Sequence, residues 1–211
     1  ILEQIKRYRE THGSEFFKPF EHQARVIKVL EEGKKVVVLH GGNQIGKTTL
    51  GANIVDSWCR GIQGWDKKTS IFEGKATRGR IICSDWEHHA REVIIPALKK
   101  WVQVDEYETS KNNVGVEAYW KFKNGSTIEL MTHKQDTKDH EGWTGDWVWS
   151  DEILPKDKYV ANSRGLIAHQ GVFLITLTEV EEGWILDDLI LSKDKSIGCV
   201  VDIPMRANPL L

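Results

Sequence analysis

The chain has 211 residues, 40% apolar and 28% charged, with a net charge of −2 from 29 basic and 31 acidic side chains. That suits one α/β domain with a real core, and it argues against a constitutively tight nucleic-acid binder, which would carry a basic surplus. No apolar run approaches the roughly 20 residues that cross a bilayer, and the start, Ile1-Leu2-Glu3-Gln4-Ile5-Lys6, lacks the order of a secretory signal.

The three cysteines, Cys59, Cys83 and Cys199, are far apart and odd in number, so they read as buried thiols of a reducing compartment. The nine tryptophans read mainly as core or subunit-contact residues, because stacking on bases is the rarer use.

A short amphipathic piece opens the chain and breaks at Thr11-His12-Gly13-Ser14. After Phe16-Phe17-Lys18, Pro19 suits the first turn of a helix, and Ala24, Ile27 and Leu30 continue its stripe up to Gly33. Gln23 lies in an aromatic cluster just ahead of a strand. It is a candidate to bond an adenine edge, with Phe17 or Phe20 over the ring face. Val36-Val37-Val38-Leu39 is a β-branched burst suited to a strand buried on both faces.

Gly41-Gly42-Asn43-Gln44-Ile45-Gly46-Lys47-Thr48 follows that strand and fits the phosphate-cradling pattern G-x-x-x-x-G-K-[ST]. Behind it, Leu50, Ile54, Val55 and Trp58 recur at helical spacing, and Gly61 is placed to end the helix. The turn's amides, those of Thr48 and Thr49 included, and the helix N-terminus point partial positive charge at a polyphosphate. Lys47 would reach the β- and γ-phosphates, and the Thr48 hydroxyl would ligate Mg²⁺. These residues predict a nucleoside-triphosphate site.

Residues 61–79 form a long polar connection, of a length usually functional or mobile. Arg80-Ile81-Ile82-Cys83 is the next buried strand. Ser84 and Glu87 form a capping box for a helix whose stripe runs from Ala90 to Trp101, and Pro96 should kink or split it. Residues 116–131 predict a β-hairpin with the loop Lys123-Asn124-Gly125, which sets Trp120 opposite Ile128 and requires a left-handed Gly125. Two more buried strands fall at 172–176 and 199–203, with a helix marked by Trp184, Leu186 and Leu189 between them. Alternating strands and helices predict a mostly parallel sheet with helices on both faces, the P-loop NTPase class of α/β fold.

Asp146-Trp147-Val148-Trp149-Ser150-Asp151-Glu152 is an apolar strand ending in two acids. At the strand tip Asp151 would share the Mg²⁺ with Thr48, and Glu152, projecting to the other side, would polarise the attacking water as general base. Thr176 and Thr178 end the strand at 172–176 and offer hydroxyls that would sense the γ-phosphate and pass its loss on.

This ordered set resembles the ATPase domain of the large terminase subunit of tailed phages and herpesviruses. The resemblance rests on Phe20-Glu21-His22-Gln23, Gly41 to Thr49, Glu141 to Asp146 leading into Trp149-Ser150-Asp151-Glu152, Leu174 to Thr178, Gly183-Trp184 and Arg206 to Leu211. It implies an ATP- and Mg²⁺-dependent motor that moves double-stranded DNA into a procapsid in the host cytoplasm. It also implies a portal protein and small terminase subunit as partners, and a homo-oligomeric ring, usually of five. On this reading residues 1–33 are an adenine-contacting helical segment, 34–204 the ATPase core, and 205–211 the start of a linker to a nuclease domain that the chain itself lacks.

Two places where many terminases carry arginine hold Asn43 and Glu141, so an arginine finger would come from Arg78, Arg80 or Arg91 of a neighbour, with Lys138 a weaker candidate. A superfamily-2-like helicase lobe shares the glutamine, P-loop and Asp-Glu pair but needs a second lobe. A nucleotide-gated docking module is the reading without catalysis.

Overall fold

The computed structural model describes residues 1–178 and 182–210; Leu211, the end of the expected linker, lies outside the described residues. In chain order, α1 spans Leu2–Thr11, α2 Glu21–Glu31, β1 Val36–Gly41, α3 Lys47–Arg60 and β2 Arg78–Cys83. A wide-turned helical segment, Trp86–Ile94, then runs directly into α4, Ile95–Trp101. β3 (Tyr107–Ser110), β4 (Tyr119–Phe122), β5 (Thr127–Thr132), α5 (Thr137–His140), β6 (Trp147–Asp151), α6 (Lys156–Ile167), β7 (Val172–Leu177) and β8 (Ile197–Ile203) complete the order.

The eight strands form one sheet in the order β3-β4-β5-β2-β6-β7-β1-β8. β5, β2, β6, β7, β1 and β8 run parallel, and the hairpin β3–β4 extends the β5 edge antiparallel. The central strands β1, β6 and β7 bury both faces, which is why their sequences are mostly apolar runs rather than alternating ones, while β5 and β8 alternate in burial. Val37, Leu39, Trp147, Trp149 and Leu174 face the layer containing α3 and α4. Val38, Val148, Phe173 and Ile175 face Leu154, Leu166, Trp184 and Leu189 on the other side. Among the described residues no helix is long and apolar enough to cross a membrane.

The β4–β5 hairpin has the expected register. Trp120 pairs with Ile128, the Leu130 amide donates to Ala118, and Gly125 is left-handed at φ 92°. Gly61 caps α3 at φ 79°. The tryptophans are core residues: Trp58, Trp120, Trp143, Trp147, Trp149 and Trp184 are buried, and Trp65, Trp86 and Trp101 are partly buried.

The segment after β2 departs from expectation. Asp85, not Ser84, caps it, accepting from the amides of His88 and His89 at 2.7 and 3.3 Å. Its turns are π-helical, as in the 2.9 Å bond from the Ala90 amide to the Asp85 carbonyl. The tighter α-helix begins only at Ile95, which leaves Pro96 in a first turn where its missing donor costs nothing. The proline therefore marks a change of helix type.

Candidate active site

The C-terminal ends of β1, β6 and β7 lie side by side. Thr176, near the end of β7, pairs with Leu39 of β1 on one side and Asp151 of β6 on the other. The P-loop leaves β1 at Gly41, so the glycine-rich turn and the Asp-Glu pair share one sheet edge, where ligands bind in open α/β sheets.

The turn is held open by its surroundings. Gly46 is left-handed at φ 81°, and a Cβ there would sit 2.6 Å from Gln23 Nε2. Gln44 is also left-handed, at φ 61°. The ring of buried His22 lies 2.9 Å from the Ile45 carbonyl, the Gly42 amide donates to Ile203, and Asn208 Nδ2 donates to the Gln44 carbonyl at 2.7 Å. Among the described residues nothing accepts from the amides of residues 43–48. Successive free N–H groups at a helix N-terminus form an anion cradle.

Lys47 is buried, and its Nζ donates to the carbonyls of Gly41 and Gly42 at 3.0 and 2.9 Å. Burial lowers its pKa, against the opposing pull of the Glu152 and Asp151 charges. A half-desolvated cation beside free amides fits a phosphate chain.

Asp151 is buried and accepts three hydrogen bonds. Thr48 donates to Oδ2 at 2.8 Å, Thr176 to Oδ1 at 2.5 Å, and the ring of His89 lies 3.2 Å from Oδ2. Trp149 Nε1 donates to the Thr176 hydroxyl at 2.9 Å, leaving that hydroxyl's proton for the carboxylate. Hydroxyl and carboxylate at this spacing are a hard oxygen pair suited to Mg²⁺.

Glu152 does not simply alternate off the strand. Its backbone is left-handed at φ 71°, with its amide donating to the Thr176 carbonyl at 2.6 Å. The carboxylate turns to Thr178, accepting from its amide at 3.2 Å and its hydroxyl at 3.0 Å. The same hydroxyl lies 3.4 Å from Asn43 Oδ1 in the P-loop. A cavity of about 340 Å³ opens here, lined by Thr48, Asp85, His89, Glu92, Asp151 and Glu152 among others. A larger one, about 420 Å³, lies by the β3–β4 hairpin between Arg78, Glu108 and Tyr119, and holds none of the P-loop or Asp-Glu residues.

The structure thus brings together Gly41 to Thr48, Asp151, Glu152, Thr176 and Thr178. Several candidates read differently. Gln23 adjoins the P-loop, but its Oε1 accepts from the Phe20 amide at 2.8 Å and its Nε2 donates to the Gly46 carbonyl at 2.9 Å, so both ends of the amide brace backbone. Phe17 is in the core, edge-on to Trp65 and Trp101, and cannot cover an adenine; Phe20, half-buried against the P-loop, still borders the site.

Arg80 is no finger. It is 2% exposed, pairs with Glu129 at 2.7 Å, donates to His140 O and Asn162 Oδ1, and lies 4.6 Å from the Trp143 ring centre. Arg78 begins β2, at the opposite end of the sheet from Asp151, with its guanidinium 5.8 Å from Trp143. Arg91 is exposed on the segment that borders the cavity, and Lys138 is exposed on α5. His89 was not legible beforehand as a site residue.

Solved structures provide the comparison. The large terminase from a thermophilic bacteriophage matches with a TM-score of 0.70 at 14% identity, over 92% of this chain and 48% of that one. The chain has the fold of a large terminase. A second crystal form of that terminase gives a TM-score of 0.67 at 14% identity, over 92% and 47% of the two chains. The same phage terminase in complex with ADP gives 0.66 at 15% identity, again over 92% and 47%. The chain therefore spans about half the length of these terminases. No protein-family model matches the sequence, and neither does any curated protein.

Proposed function

We propose that this chain is the ATPase unit of a large terminase, hydrolysing ATP to drive double-stranded DNA into a viral procapsid. The observation that carries the reading is the 2.8 Å bond from Thr48 to Asp151, which closes the P-loop and the Asp-Glu strand into one site. The terminase fold, solved with ADP in the thermophilic phage protein, supports it.

The residues present fit ATP and Mg²⁺. The free amides of residues 43–48 and Lys47 would hold the phosphate chain, and Thr48 and Asp151 would hold the cation. A bound Mg²⁺ would supply neutralisation of the charge that develops on the phosphate chain. Lys47 leaves its two carbonyl partners for phosphate oxygens, where a positive charge stabilises the transition state. Glu152, oriented by Thr178, takes a proton from the attacking water. Loss of the γ-phosphate is read at Asn43 and relayed through Thr178 to β7. In the assembled motor, chains form a ring, expected to be of five, on a portal protein; the small terminase subunit brings DNA, and an arginine from a neighbour completes each site.

The test is phosphate release from purified chain with ATP and Mg²⁺, followed by packaging of duplex DNA into portal-bearing procapsids. Activity abolished by Lys47→Ala in both assays is expected. Hydrolysis without any packaging by the full-length protein would defeat the motor reading, and absence of ATP binding would defeat the whole of it.

A further inference from the structure

We propose that His89 is a positioning residue for the metal-binding carboxylate of Asp151, an inference that rests on the ATPase reading. The imidazole is buried, with Nε2 3.2 Å from Asp151 Oδ2 and Nδ1 3.0 Å from the Ser84 amide nitrogen. A backbone N–H only donates, so Nδ1 is an acceptor, and in the neutral ring the proton is on Nε2, aimed at the carboxylate. The ring thus joins the end of β2 to the tip of β6, with its tautomer fixed by the main chain.

The three donors to Asp151 are not equivalent. Thr48 shares Oδ2 with His89, and its oxygen is the one that turns to the cation in the ATPase reading. Thr176 holds Oδ1. His89 is then the donor that stays on Oδ2 when Thr48 leaves, and two opposed bonds fix the carboxylate plane. Partners of this kind behind a metal ligand are worth roughly 10–100-fold in metal affinity or activity. The consequence is directional: the Trp86–Ile94 segment, whose outer face carries Arg91, is tied to the metal carboxylate through one side chain.

His89→Gln and His89→Leu separate positioning from packing. A glutamine can donate from Nε2 to Asp151 and accept from Ser84 through Oε1, whereas leucine does neither. ADP affinity is measured by calorimetry in EDTA, and Mn²⁺ affinity of the ADP complex by electron paramagnetic resonance. His89→Leu should bind ADP in EDTA as wild type does and lose about 10–100-fold in Mn²⁺ affinity, while His89→Gln should stay within about threefold of wild type. Should His89→Leu not fold, His89→Asn, one methylene too short to span both partners, takes its place with the same expected loss.

Undiminished Mn²⁺ affinity in the leucine or asparagine variant overturns the inference, as does a glutamine variant no better than leucine. Equal losses of ADP affinity in EDTA and of Mn²⁺ affinity also overturn it, since that is damage to the fold. A wild-type chain that binds neither ADP nor Mn²⁺·ADP overturns the ATPase reading itself, a result distinct from all of these.

Discussion

Thr178 donates twice to Glu152, from its amide to Oε2 at 3.2 Å and from its hydroxyl to Oε1 at 3.0 Å. The hydroxyl has one proton, and Asn43 Oδ1 competes for it at 3.4 Å. The last residue of the Thr-x-Thr pair therefore links the P-loop residue Asn43 to Glu152.

Glu152→Gln should keep ATP affinity and lower hydrolysis by about 10²–10⁴-fold, the usual worth of a positioned base. Thr178→Val keeps the amide bond and removes the hydroxyl. A hydrogen bond to a charged group is worth roughly 1.5–3 kcal/mol, so a rate loss of about tenfold or more is expected at unchanged ATP affinity. Phosphate release and calorimetric titration check both. Unimpaired hydrolysis in Glu152→Gln would remove Glu152 from the mechanism.

Gly51 on α3 tests the support behind Asp151. A Cβ there would sit 2.0 Å from Cζ2 of Trp149, whose Nε1 holds Thr176, which in turn holds Asp151. Gly51→Ala should cost about 1–3 kcal/mol from overpacking. Hydrolysis should fall further than ATP affinity, because the displaced indole loosens the carboxylate and leaves the P-loop amides in place. Thermal melting paired with turnover measurements decides this; a variant as stable and active as wild type would mean that the indole relocates freely.

Much of this was legible in the sequence. The central buried strands are rich in β-branched and aromatic residues, and the hairpin register followed because the two-residue alternative would have set Trp120 against Glu129. The P-loop and Asp-Glu strand carry local signals strong enough to find the site. What stayed hidden depends on partners far apart in sequence. Arg80 looked like any strand-end arginine until Glu129 and Asn162 closed around it. Gln23 could not declare that its amide braces Phe20 and Gly46. His89 sits on the polar side of a predicted α-helix, and its partner Asp151 lies 62 residues away in sequence.

Lys47 has a signature in stability as well as activity. Burial lowers its pKa below the ordinary lysine value of 10.5. The unfolded chain therefore binds more protons than the folded one as pH climbs from the folded pKa towards 10.5, and stability attributable to Lys47 rises with pH across that window. Lys47→Met should abolish ATP binding and flatten that rise. Urea unfolding of both proteins across the alkaline range checks it; a stability difference between them that is constant with pH would show that the ammonium is not strained by burial.

Arg80 and Arg91 separate cleanly by the effect of removing each. Removing Arg80 strips Glu129, the His140 carbonyl and Asn162 Oδ1 of a shared donor inside the protein. Breaking such a buried pair costs about 3–5 kcal/mol, and Glu129 keeps enough solvent contact to set the low end for Arg80→Leu. Assembly with wild-type chains should not repair it. Arg91 is exposed, and among the described residues its guanidinium makes only a 3.2 Å bond, to the Val114 carbonyl, so Arg91→Ala should change stability by no more than about 0.5 kcal/mol. If it is the finger, its loss lowers turnover by up to about 10³-fold in the assembled ring and leaves the dilute chain as it was. Urea unfolding and hydrolysis assayed above and below the assembly concentration give the answer, and an assembled Arg91→Ala ring with wild-type turnover would assign the finger elsewhere.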